Sequence, residues 1–154
     1  MDVKHIDPFL EALHNVLPML GFQQITRGKL SVGERFVSGK GVIVLIGTTG
    51  DVAGNIAYNL TEEVSKKIAS TMMGGMPVDT FDALAQSAVS ELVNMLTANA
   101  AMTLESRQIK MDISPPTIIL GQNSTVTICN SRFLTVEYVV DGMKIDVNFG
   151  FNQK

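Results

Sequence analysis

The last third of the chain leaves the least freedom. Leu134, Val136, Tyr138 and Val140 alternate with polar residues and Val139, Asp141-Gly142 follows, and Met143, Ile145, Val147 and Phe149 then alternate strictly with Lys144, Asp146 and Asn148. A period of two puts one set of side chains on one face of a strand, and Asp-Gly suits a two-residue type I′ turn. The segment therefore reads as an antiparallel hairpin with one apolar face, which must be covered by something else.

The remaining pattern supplies the cover. Phe9, Leu10, Leu13, Val16, Leu17 and Leu20 recur at helical spacing behind an Asp7-Pro8 start, and Pro18 and Gly21 close that helix. After a strand near Gln23 to Lys29, Gly41 to Thr48 is a nearly continuous β-branched run, expected to be buried on both faces. Gly54 to Leu60 alternates, and Gly50-Asp51 joins the two as a second hairpin. Thr61 caps a second helix, with Glu62 and Glu63 in its first turn, that stops at Gly74-Gly75. Asp79 is the expected cap of a third helix reaching about Ser106, ~28 residues and ~42 Å long. Ser114-Pro115-Pro116 breaks the chain before short strands near Ile118 and Val126. Helix, link and hairpin thus occur twice. The expected fold is α+β, a two-layer domain whose antiparallel sheet is covered by long amphipathic helices in a pseudo-duplicated helix-hairpin pattern, with residues 1–154 forming one domain.

Several functional classes drop out. Twelve Lys and Arg against fifteen Asp and Glu, with no block of like charge, give no nucleic-acid surface and no anionic-membrane anchor. The most apolar run, Val42 to Ile46, is far short of the ~20 residues a membrane span needs. With no basic, apolar leader at the start, the expected location is cytoplasmic. His5 and His14 fall on different helix faces, so no metal site is expected; Cys129, in a strand-like pattern, reads as a small core residue. Phosphate-loop, dinucleotide, zinc-protease and serine-hydrolase motifs are absent.

The third helix carries the remaining signal. Phe81, Leu84, Ala85, Ala88, Leu92, Met95, Leu96 and Met102 form a wide apolar stripe expected to face the sheet. Ser87, Glu91, Asn94 and Ala98 share one edge of it, at i, i+4, i+7 and i+11. Spacing alone favours a solvated helix edge, because exposed Glu and Asn are ordinary. Val93 and Met95 read as packing and as an apolar rim beside that edge.

Ser87-Ala88-Val89-Ser90-Glu91-Leu92-Val93-Asn94-Met95 resembles the [DS]-x-x-x-E-x-x-N motif of the CheC/CheX/FliY family of chemotaxis phosphatases. Met72-Met73-Gly74-Gly75-Met76 and Asp112-Ile113-Ser114-Pro115-Pro116-Thr117 are similar to CheX sequences at corresponding places. Glu11 and Asn15 on the first helix are spaced by four instead of three, so a single active helix, the CheX pattern, is expected. Where the family often has glycine, this chain has Ala98. The resemblance implies a phosphatase for the aspartyl phosphate of a CheY-like response regulator, with Asn94 positioning the attacking water and Glu91 docking the regulator's active-site lysine. It implies no cofactor in this chain, with Mg²⁺ brought by the regulator, supporting roles for Ser87 and Ala98, and a homodimer joined by sheet edges. A catalytically silent module that binds a regulator or a flagellar-switch component is the alternative.

Overall fold

The structure, a computed structural model, describes residues 3–152. The C-terminal hairpin forms as its alternation requires: β8 (Arg132–Val140) and β9 (Met143–Phe151) are antiparallel. Asp141 and Gly142 take φ of 49° and 81°, the two left-handed positions of a type I′ turn. The Asp141 carboxylate accepts the Gln24 N–H at 2.7 Å, which ties the turn to the start of β1 (Ile25–Glu34). That strand runs well past the Lys29 expected from sequence, because its pairing with β8 extends to Glu34 opposite Arg132.

β3 (Gly41–Gly50) and β4 (Gly54–Leu60) make the other hairpin, and β4 pairs with β9, with Tyr58 opposite Val147. The outer edge of β3 is shared. β5 (Met111–Ile113) pairs with Thr48 to Gly50, and β6 (Thr117–Gly121) pairs with Gly41 to Leu45. The sheet order is β1-β8-β9-β4-β3 followed by β5 and β6, all antiparallel. Exchanging the two halves of the chain, β1 for β5/β6, β3 for β8 and β4 for β9, leaves this order unchanged. The repeated helix-hairpin pattern therefore exists as topology. Two short strands escape the sequence pattern: β5, and β2 (Val37–Ser38), which pairs with β7 (Thr125–Val126).

Val42, Val44 and Ile46 of β3 point into the main core, while Ile43 packs with Val37, Ala57, Ile128 and Phe133 on the opposite face. β3 is covered on both sides, as its β-branched run predicts.

The helices lie over the main core. α1 spans Val3–Val16, so Asp7 and Pro8 stand inside it instead of starting it. Ile6 is buried with Phe9, Ala12, Leu13 and Val16, and the apolar face thus continues upstream of the proline. A 3₁₀ turn, Leu17–Leu20, ends at Gly21 with φ 104°. α2 (Glu62–Met72) has the expected cap: Thr61 Oγ1 accepts the Val64 N–H at 3.1 Å. α3 (Ala83–Ser106) is 24 residues long, about 36 Å. Its cap is Asp82, whose carboxylate accepts the Ala85 N–H at 2.9 Å, and not Asp79.

The buried face of α3 is also turned from the expected stripe. Ala85, Val89, Leu92, Val93, Leu96, Thr97, Ala100 and Leu104 are buried, whereas Leu84 and Met102 are 62% and 66% exposed. α3 packs against α1 and α2 as well as the sheet, where Thr97 meets Tyr58 of β4. Val93 accordingly belongs to the core and forms no rim; Met95 is half-buried.

Candidate active site

The rotation of α3 decides what its polar edge meets. With Leu92, Val93 and Leu96 held in the core, Ser87, Glu91 and Asn94 turn toward an open groove of about 840 Å³. Ala83, Gln86 and Ser90 complete the helix side, and Ile113, Ser114, Pro115, Pro116 and Ile118 form the facing wall. Glu91 and Ser87 are exposed and Asn94 is half-buried. None of the three has a hydrogen-bond or ion-pair partner among the described residues. Among the described residues, Glu91 is the only charged one lining the groove. An unpaired carboxylate one turn from an unpaired carboxamide, open to a common space, can meet a cation and a polar group of another molecule at once.

Ala98 is half-buried one turn beyond Asn94 and does not line the groove. The structure thus joins Ser87, Glu91 and Asn94 and leaves Ala98 outside the lining.

The facing wall exists because β5 and β6 are separated. Neither Pro115 nor Pro116 has an N–H for the ladder, so the chain cannot pair through them with β3. Ser114 secures the gap: its N–H donates to the Gly47 carbonyl at 2.9 Å, and its Oγ accepts the Gly47 N–H at 2.8 Å. Sequence reasoning took Ser114-Pro115-Pro116 as a break and missed it as a wall. The signal was the proline pair, whose consequence depends on a strand 67 residues away.

The other sequence candidates lie elsewhere. His14 is exposed with its ring edge-on to Tyr138 at 5.7 Å, and no three of His, Cys, Asp and Glu converge among the described residues. Cys129 sits in a bend after β7, half-buried, its thiol 3.5 Å from the carbonyls of Ser131 and Arg132. It packs at the margin of the smaller core and is not a strand residue. Glu11 and Asn15 on α1 are exposed, and Glu11 pairs with Arg107, at the α3 C-cap, at 3.7 Å.

Comparison with known proteins places the chain. The family described as "Chemotaxis phosphatase CheX" matches residues 42–139, a span that includes α3 and both walls of the groove. CheY-P phosphatase CheX of Thermotoga maritima is 33% identical over 124 residues, 80% of this chain and 79% of that protein. Among solved structures, the CheX-CheY-BeF3-Mg²⁺ complex from Borrelia burgdorferi matches at 31% identity and a TM-score of 0.79, covering 97% of this chain and 98% of that one. A CheC-like superfamily protein from Shewanella sp. PV-4 matches at 25% identity with a TM-score of 0.83, over 96% and 97% of the two chains. The chain is a member of the CheX family of chemotaxis phosphatases.

Proposed function

We propose that this chain accelerates hydrolysis of the aspartyl phosphate on a CheY-like response regulator, using Asn94 to place the attacking water and Glu91 to hold the regulator. The observation that carries this reading is the pair itself: two polar side chains, one helical turn apart, unpartnered and open to one groove.

An acyl phosphate is already activated, and no nucleophile is required from this chain. Water attacks phosphorus as the bond to the aspartyl oxygen breaks, releasing inorganic phosphate and restoring the carboxylate. The step is limited by holding a water in line. The Asn94 carboxamide offers an oxygen to accept a hydrogen bond from that water and an NH₂ group to face the phosphoryl oxygens. A positioning effect of about 100-fold corresponds to ~2.7 kcal/mol, a reasonable demand on one well-held side chain.

Glu91 takes the regulator's active-site lysine. Because the described lining carries no other charge, a cation laid over the groove would pair with Glu91. Glu91 is exposed before docking, which puts its contribution near the low end of desolvated pairs, ~2 kcal/mol. Ser87, on the groove and free of any bond to Glu91, serves the partner and not the helix. Ala98 is a small residue beside the approach. Mg²⁺ comes with the regulator.

The rest of the proposal concerns the setting. The 154 residues act as one domain, and two copies join through a sheet edge, β1 and β5/β6 being the outermost strands. The setting is cytoplasmic; no helix among the described residues is long and apolar enough to cross a membrane. A strictly monomeric mass in sedimentation would remove the dimer.

The decisive experiment follows phosphate release from a phosphorylated CheY-like regulator in Mg²⁺, with and without the chain. Accelerated release supports the phosphatase. Binding without acceleration leaves the silent module, and neither result removes both.

A further inference from the structure

α3 buries one polar side chain among its core residues, Thr97. Its Oγ1 donates to the Val93 carbonyl at 2.8 Å and lies 3.0 Å from the Tyr58 hydroxyl. Threonine has one hydroxyl proton, and that proton goes to Val93; Tyr58 is therefore the donor to Thr97. Burial pushes the Tyr58 phenol up to about 12, so it keeps the proton it donates at ordinary pH. Two hydrogen bonds thus run from β4, inside the sheet, to the Val93 carbonyl. That carbonyl belongs to the peptide unit whose nitrogen is Asn94's.

The α3 side chains that line a small cavity together with Tyr58 are apolar: Val89, Leu92, Val93 and Leu96. Close apolar packing sets which face of α3 is buried, but the attraction itself is non-directional. Hydrogen bonds carry distance and angle requirements. A rotation of α3 would carry Asn94 across the groove.

We infer that Tyr58 and Thr97 are a positioning pair, fixing the rotation and axial register of α3 so that Asn94 is held over the groove. The inference rests on the phosphatase reading above. A displacement of this kind costs turnover more than docking, since placing a water in line tolerates less misplacement than the ion pair made by the flexible Glu91 side chain.

The test compares the full-length wild type with Tyr58→Phe/Thr97→Val and with Thr97→Ser. The double substitution removes both hydroxyls while keeping shape, so no buried donor or acceptor of the pair is orphaned and the fold should persist. With a phosphorylated CheY-like regulator and Mg²⁺, the double variant is expected to bind within about twofold of wild type and to lose about tenfold in maximal rate. Thr97→Ser, which keeps the hydroxyl, is expected to retain most of the rate. A double variant with the wild-type maximal rate overturns the inference, as does a Thr97→Ser variant equally impaired. If the wild type itself gives no acceleration, the phosphatase reading fails separately. Amide hydrogen exchange across residues 90–98 then judges the pair: faster exchange in the folded double variant supports it, and unchanged protection overturns it.

Discussion

The two halves of this chain offer a comparison within one molecule. Each contributes a helix over the same sheet and an edge strand that pairs with the other half's hairpin, β1 on β8 and β5/β6 on β3. Each edge strand is interrupted part-way along. In the first half the interruption is a register shift between Arg27 and Leu30, and β1 resumes pairing at once. In the second, Ser114-Pro115-Pro116 opens a gap between β5 and β6, and that gap becomes one wall of the groove. The helices differ in parallel. α1 presents Glu11 and Asn15, with Glu11 engaged by Arg107; α3 presents Glu91 and Asn94 without side-chain partners among the described residues. The same two residue types are thus surface on one helix and a candidate site on the other. The α3 pair has three-residue spacing, a carboxylate outside any ion pair like that of Glu11 with Arg107, and a place in the lining of one groove.

The strongest test of that difference is the amide. Asn94→Ala is expected to lower stimulated phosphate release about 100-fold while regulator binding persists, and Asn15→Ala on α1 to change neither. Equal losses from both would dissolve the distinction between the halves. The carboxylates come next. Glu91→Ala is expected to weaken regulator affinity about thirtyfold in a titration, the equivalent of ~2 kcal/mol. Glu11→Ala removes only an exposed ion pair with Arg107 and should leave affinity unchanged and stability within ~1 kcal/mol. A smaller effect is expected at the wall. Ser114→Ala frees the Gly47 N–H from its Oγ acceptor and loosens the gap that distinguishes β5/β6 from β1. It should lower the thermal midpoint by the equivalent of ~1 kcal/mol and the phosphate-release rate about threefold. An unchanged rate with lowered stability would show the wall to be scaffolding.

Much of this was legible because local chemistry and global fold agree where the pattern is strict. The hairpin at Asp141-Gly142 needs two left-handed residues, and alternation on both sides fixes which face is buried, so turn, pairing and burial follow together. Thr61 was readable as a cap for the same reason, since the helix it opens has its acidic first turn in place. The errors arose where a distant element decides. Asp7-Pro8 looks like a helix start, yet the burial of Ile6 extends α1 upstream. The α3 stripe expected from sequence suits a helix that meets only a sheet; α3 also packs on α1 and α2, and its buried face takes in Val93 and Thr97 and leaves Leu84 and Met102 outside. In the site, helical spacing was enough to put Ser87, Glu91 and Asn94 on one side. It could not show that Ala98 lies beyond the groove, that Ser114 grips Gly47, or that Glu91 has no local partner.

Ala98 gives the smallest expected effect and the sharpest question about how much of α3's character is room and how much is chemistry. It follows Asn94 by one turn on the same edge and is half-buried, outside the groove lining. Its methyl therefore stands beside the approach and not across it. Ala98→Gly would widen that approach and, inside a helix, would cost about 1 kcal/mol of stability through backbone freedom. If the pair at Glu91 and Asn94 is what distinguishes α3, the maximal rate should move by less than about twofold while the thermal midpoint falls by several degrees. If clearance is what matters, regulator affinity should rise despite the weaker helix. A tighter complex measured for the glycine variant would shift the explanation from the side chains of α3 to the space around them.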